Sequence, residues 1–173
     1  TVFQCATGPV CIPFTITDAD NNISIRFVKL DGTVADTNAT SPYCFTPIGA
    51  GVHQVIVLAT DACGAGDADT ITVNVLQNHA PVANAGPDQS LELCTSTQVC
   101  WPASCTDPDN NLDSCKLISG PGTYAGGQIC FTPGSSGTYT FVTRAVDRCG
   151  VADQDTVVIT IALNAPPVCQ MPP

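Results

Sequence analysis

The sequence predicts an all-β protein made of two tandem antiparallel β-sandwiches. An internal repeat divides the 173 residues into two halves of similar length. Short runs of Val, Ile, Thr, Tyr and Phe alternate with polar residues in both halves, and no stretch of helical spacing competes with them.

The repeat can be followed residue by residue. Cys5, Cys11 and Thr17-Asp18-Ala19-Asp20-Asn21-Asn22 fall on Cys94, Cys100 and Thr106-Asp107-Pro108-Asp109-Asn110-Asn111 at a constant offset of 89 (94 − 5, 100 − 11, 106 − 17). After a three-residue length change the offset becomes 86 (130 − 44). Cys44-Phe45-Thr46-Pro47 then falls on Cys130-Phe131-Thr132-Pro133, Asp61 on Asp147, Cys63-Gly64 on Cys149-Gly150, Asp67 and Asp69 on Asp153 and Asp155, and Asn78 on Asn164. The domains expected are residues 1–78, residues 79–164 and a tail of 165–173.

In the first copy, Val52 to Ala59 and Thr70 to Leu76 read as strands. In the second, the strands expected are Val82–Ala83, Ser90–Leu93, Gln98–Ser104, Cys115–Ser119, Gln128–Phe131, Tyr139–Val146 and Thr156–Leu163, with a hairpin through 147–154. About seven strands per copy, with Gly, Pro, Asn and Asp punctuating every 8 to 12 residues, is the rhythm of a sandwich.

A net charge of −10 disfavours nucleic acid and anionic lipid as partners. Eleven cysteines with no CxxC pair, beside only two histidines, lack zinc-site or thioredoxin-like spacing and point to disulfides in an oxidising compartment. The expected location is therefore extracellular or on the cell surface. The longest apolar run, Val157 to Leu163, is too short for a membrane-spanning segment, so no membrane insertion is expected.

The segment Ala80-Pro-Val-Ala-Asn-Ala-Gly-Pro-Asp-Gln89, then Thr106-Asp-Pro-Asp109, then Gly137-Thr-Tyr-Thr140 and a closing Val/Thr strand resembles a polycystic-kidney-disease-type (PKD) repeat over most of residues 80–163. The resemblance implies two immunoglobulin-like β-sandwiches of the kind found in prokaryotic surface proteins and as accessory domains of secreted enzymes. The sequence departs from the family at Cys115-Lys-Leu-Ile-Ser-Gly-Pro-Gly-Thr123, where W-x-F-G-D-G-T is usual, and its extra cysteines are similar to those of hyalin-type repeats.

Four sets of residues are candidates for chemistry. The first is acidic. Asp18, Asp20 and Asn22, with Asp61, Asp67 and Asp69, and in the second copy Asp107, Asp109 and Asn111, with Asp147, Asp153 and Asp155, put many oxygen donors at one end of each sandwich. Such donors suit Ca²⁺, the one cofactor expected. The same D-x-D-x-N spacing also suits Asx turns, in which the side chains bond their own backbone, and the complete EF-hand pattern is absent. The second set is covalent: Cys11 with Cys44 and Cys100 with Cys130 lie on neighbouring strands, and Cys105 with Cys115 flanks an acidic loop. The third is a pair of glycosylation sequons at Asn22 and Asn38. The fourth is a pair of corner residues, His53 and Tyr139, at matching positions. No GxSxG, HExxH or phosphate-binding loop occurs, so no enzyme is expected.

Thr1 aligns with Ser90, so the first copy is expected to lack the lead-in strand that the second carries in 80–89. Asn164-Ala-Pro-Pro-Val168 repeats Asn78-His-Ala-Pro-Val82, so the tail begins another lead-in. The function expected is a structural repeat or subunit of an extracellular fibre or stalk, its partners being copies of itself or neighbouring repeats joined head to tail. Ala165, Pro166, Pro167, Val168 and Cys169 would be the subunit contact, and a Cys169–Cys63 disulfide would lock it. The alternative is an adhesion or carbohydrate-binding accessory module that takes a glycan or surface ligand.

Overall fold

The computed structural model describes residues 1–171 as sixteen strands without a helix. They form two compact units, Thr1–Asn78 and His79–Pro173. Pro172 and Pro173, the end of the expected donor segment, lie outside the described residues.

The first unit contains β1 (Val2–Gln4), β2 (Val10–Ile12), β3 (Ile23–Leu30), β4 (Thr33–Asp36), β5 (Tyr43–Phe45), β6 (Gly51–Asp61) and β7 (Gly66–Gln77). One sheet has the order β1-β7-β6-β3-β4, and β2 pairs with β5 apart from it. Their inner faces enclose Val10, Val28, Ala39, Phe45, Val55, Val73 and Val75. β-branched residues dominate, which suits packing from a pleated surface.

The second unit contains β8 (Val82–Asn84), β9 (Gln89–Leu93), β10 (Val99–Pro102), β11 (Ser104–Thr106), β12 (Leu112–Ser119), β13 (Thr123–Ala125), β14 (Gln128–Phe131), β15 (Gly137–Asp147) and β16 (Ala152–Leu163). Its sheets run β12-β15-β16-β9 and β10-β14-β13, with β11 paired to β8. The core is larger and aromatic. Trp101, Phe131 and Phe141 meet edge-on with ring centroids 4.8 to 5.9 Å apart, a geometry favoured by ring quadrupoles.

The strand expected over Gln98–Ser104 is two strands, broken at Ala103, whose N–H is bonded to Gly127 O away from the main ladder. The break lets β10 pair with β14 in one sheet while β11 turns to pair with β8. Strand β13, which the sequence pattern did not suggest, follows Gly120 and Gly122. Both glycines abut Phe141, so closely that a Cβ at either would meet its ring. Gly120 also has a positive φ of 110°, which only glycine adopts without strain. The β15–β16 hairpin is tighter than expected, with only Asp147 to Val151 between the last paired residues, Val146 and Ala152.

Candidate functional site

The two units differ most where β8 lies. In the second unit β8 pairs antiparallel with β11, Cys105 facing Ala83. Its other edge is held by side chains: Asp153 Oδ2 accepts the Ala83 N–H at 2.9 Å, and Asp155 Oδ2 accepts the Ala85 N–H at 2.8 Å. Trp101 Nε1 donates to Ala85 O at 2.9 Å. Pro81, Ala83 and Ala85 alternate inward, and beneath them Ala145 and Val157 are sealed from solvent. One step earlier, Asp109 accepts the backbone N–H of His79 and contacts its Nδ1 at 3.0 Å. These hydrogen bonds, the backbone one first, hold the Asp109 carboxyl below its ordinary value.

The first unit has the same frame without the strand. A groove of about 450 Å³ runs where β8 would lie, lined by Ile12, Phe14, Ile16, Val57, Asp69 and Ile71 among others. Ile71, the counterpart of Val157 (157 − 86), is 47% exposed, whereas Val157 is 0% exposed. Residues 15–17, the counterparts of β11, are irregular because nothing among the described residues pairs with them. Asp67 and Asp69, the counterparts of Asp153 and Asp155, are exposed, and Asp69 Oδ1 accepts only the N–H of the next residue, Thr70.

Most of the other acidic candidates hold backbone. Asp18 Oδ1 accepts Asp20 N–H at 2.8 Å, and Asp107 Oδ1 accepts Asp109 N–H at 2.8 Å, with Asn22 and Asn111 N–H at 3.5 and 3.4 Å completing two matched turns. Asn21 and Asn110 take left-handed φ values of 57° and 56°, which asparagine tolerates. Asp61 Oδ1 accepts Cys63 and Ala65 N–H, and buried Asp147 Oδ1 accepts Val151 N–H. Among the described residues no group of three or more His, Cys, Asp or Glu is arranged to hold a metal ion.

Disulfides join Cys11–Cys44, Cys100–Cys130 and Cys105–Cys115, as the spacing suggested. Cys63, Cys94 and Cys169 are exposed thiols of the single chain. Tyr139 Oη donates to Ser135 O at 2.7 Å, a corner bond of the kind expected, whereas His53 instead faces Asp31 Oδ2 through Nδ1 at 2.9 Å. That bond, with a backbone one from Gln54, lowers the Asp31 pKa. Asn38 is exposed and Asn22 half-buried, with Asn22 O accepting Ala62 N–H. Residues 164–171, which include all five expected contact residues, form no strand and are exposed, Val168 at 85% and Met171 at 95%.

Sequence reasoning missed the buckle made by Asp153 and Asp155. Its signal was the alternation of acidic residues at the start of β16, read there as metal ligands.

No protein-family model matches the chain, and no curated protein matches it. Among solved structures it is similar to the fibronectin(III)-like modules of Clostridium thermocellum CbhA, at 16% identity over 91% of this chain and 87% of that one, with a TM-score of 0.40. It is also similar to the ectodomain of human desmocollin-1 (13% identity, 93% of this chain, 38% of that one, TM-score 0.45). A third is the set of extracellular cadherin domains 1–5 of protocadherin gamma B2 (10%, 94%, 41%, TM-score 0.50). The chain spans less than half of each of these last two chains. At such identities the likeness concerns the fold alone: the chain is an all-β protein built of several sheets, without a helix among the described residues.

Proposed function

We propose that the chain is a non-enzymatic structural repeat of an extracellular fibre or surface stalk, of PKD-like or hyalin-like type, joined head to tail by strand addition. One observation carries the proposal: the groove of the first unit matches the seat that β8 fills in the second. The occupant is the tail of a second copy. At the offset of 86, Pro167, Cys169 and Met171 correspond to the inward-facing Pro81, Ala83 and Ala85 (167 − 81, 169 − 83, 171 − 85). Cys169 and Met171 both carry the N–H groups that Asp67 and Asp69 would accept, as Asp153 and Asp155 do for Ala83 and Ala85. Such a contact joins different surfaces on the two copies, so it repeats into an open filament instead of closing a dimer. Disulfides within the sandwiches support an oxidising, extracellular setting.

The test is electron microscopy of the full chain beside a variant lacking residues 165–173. The full chain forms fibres, and the truncated one stays monomeric with its second unit folded. Fibres from the truncated chain, or a groove filled by residues preceding Thr1 in a longer parent chain, would defeat the tail as occupant.

A further inference from the structure

We infer that the head-to-tail joint is closed by a disulfide between Cys94 of the donor copy and Cys63 of the acceptor copy. The inference rests on the strand-addition reading and names the bond that makes it permanent.

On the donor side, Cys94 follows the last residue of β9, Leu93, whose carbonyl accepts the Asn164 N–H at 2.9 Å. Cys94 therefore stands where the tail leaves the second unit, and it is exposed. The acceptor side is read from the second unit, which shows how a lead-in strand arrives. His79 donates its backbone N–H to Asp109; two residues on, Asn111 O accepts Arg148 N–H at 2.9 Å, and Cys149 comes next. The first unit repeats this turn: Asn22 O accepts Ala62 N–H at 3.0 Å, and Cys63 comes next, exposed. Donor Ala165 corresponds to His79 (165 − 86) and so arrives at acceptor Asp20, the counterpart of Asp109 (109 − 89). Asn164, bonded beside Cys94, and Ala165, placed beside the turn that holds Cys63, are consecutive residues. The two thiols thus flank a single peptide unit of the joint.

Cys169 is the other exposed thiol of the tail, but the register gives it a different place. Its counterpart Ala83 is 6% exposed and faces the core opposite Cys105 of β11. Cys169 would therefore face Ile16 inside the acceptor groove, turned away from the solvent-facing hairpin of Cys63. This makes Cys94, in place of Cys169, the partner of Cys63.

The bond forms by thiol–disulfide exchange with a low-molecular-weight disulfide. One protein thiolate attacks it and expels one small thiol; the second protein thiolate attacks the mixed disulfide and expels the other. Two protein thiols are oxidised, the small disulfide is reduced to two thiols, and both protons pass to them.

The test uses the full chain incubated with oxidised glutathione and run on non-reducing gels. The parent gives a ladder of dimers, trimers and higher species, and Cys169→Ser gives the same ladder. Cys63→Ser and Cys94→Ser each abolish it. An equimolar mixture of those two variants stops at a dimer, because each copy then has one reactive end, and peptide mass spectrometry finds Cys63 joined to Cys94. A ladder that survives Cys94→Ser but not Cys169→Ser overturns the inference, as does a symmetric Cys63–Cys63 or Cys94–Cys94 linkage. The Cys63→Ser/Cys94→Ser double variant separates the two levels. If it still forms fibres by microscopy while the parent gives no ladder, the lock is wrong and strand addition stands. If neither forms fibres or ladders, strand addition fails with it.

Discussion

Removing one carboxylate from each copy of the buckle separates a bond made within a chain from one made between chains. In Asp155→Ala the N–H of Ala85, a residue with no solvent exposure, loses its acceptor. Leaving a buried donor unsatisfied costs about 1–3 kcal/mol, centred near 2. For a unit of 95 residues (173 − 79 + 1), each kcal/mol moves the midpoint by about 4–8 °C, so the second unit should melt about 8–16 °C lower. The only tryptophan, Trp101, lies in that unit and donates to the carbonyl of the same Ala85, so its fluorescence reports this transition without interference from the first unit. Asp69→Ala removes the matching carboxylate where no strand is seated. The monomer should then shift by less than about 3 °C. The joint, however, loses a charge-assisted bond of about 1.5–3 kcal/mol, which weakens self-association about 10- to 150-fold in sedimentation. The reasoning is refuted if Asp69→Ala destabilises the monomer as much as Asp155→Ala does, or if it leaves association unchanged.

Replacing Cys100 and Cys130 by Ser, which opens a loop with a sequence separation of 30, should cost about 4 kcal/mol of unfolding free energy in chemical denaturation; a loss below about 1 kcal/mol would assign stability to packing alone. Trp101→Phe should cost about 1–3 kcal/mol by leaving Ala85 O without its donor, read as a lower midpoint by circular dichroism. Asp107→Ala, which removes the acceptor of two backbone N–H groups, should lower the melting temperature equally in chelator and in millimolar Ca²⁺; a loss seen only with Ca²⁺ would make the loop a metal site instead of an Asx turn. The carboxyl of Asp109 should titrate by NMR below its ordinary midpoint. Because its folded pKa is depressed, the stability it contributes is present above the unfolded pKa and lost as pH falls through the folded one, and a midpoint at the ordinary value would remove the His79 contact from the account.

Much of the fold was legible because two kinds of signal are local. Alternation over Tyr139–Val146 and Thr156–Leu163 fixes which face of β15 and β16 is buried, and the self-match of the halves places matching turns and cysteines in both. Two of the disulfides, Cys11–Cys44 and Cys100–Cys130, were legible because they join register partners on adjacent strands, whereas the sequence offered no partner for Cys5 or Cys149, which are also disulfide-bonded. β13 was not legible, since Thr-Tyr-Ala is too short to show a period and its place depends on Gly120 and Gly122 clearing Phe141. The roles of the aspartates were legible only in part. D-x-D-x-N fits an ion and an Asx turn equally well in one dimension, whereas Asp153 and Asp155 are defined by a strand about 70 residues earlier.

Side-chain volumes bear on the same joint independently of its hydrogen bonds. In the second unit the smallest side chain with a Cβ, Ala85, belongs to one core cluster with two of the largest, Trp101 and Phe141, whose ring centroids stand 4.8 Å apart. In the first unit the counterparts of those rings are the smaller Ile12 and Val55 (101 − 89, 141 − 86), both lining the groove. The tail residue in register with Ala85 is Met171, a long flexible side chain suited to an irregular gap. Large-with-small in one unit would thus become medium-with-medium at the proposed joint, a volume-conserving exchange of the kind cores accept. It also acts as selection. On the strand-addition proposal, Met171 would clash with Trp101 and Phe141 if the tail tried to displace β8 from a second unit, whereas the first unit would receive it, so the cores as well as the ends would set the polarity of the proposed fibre.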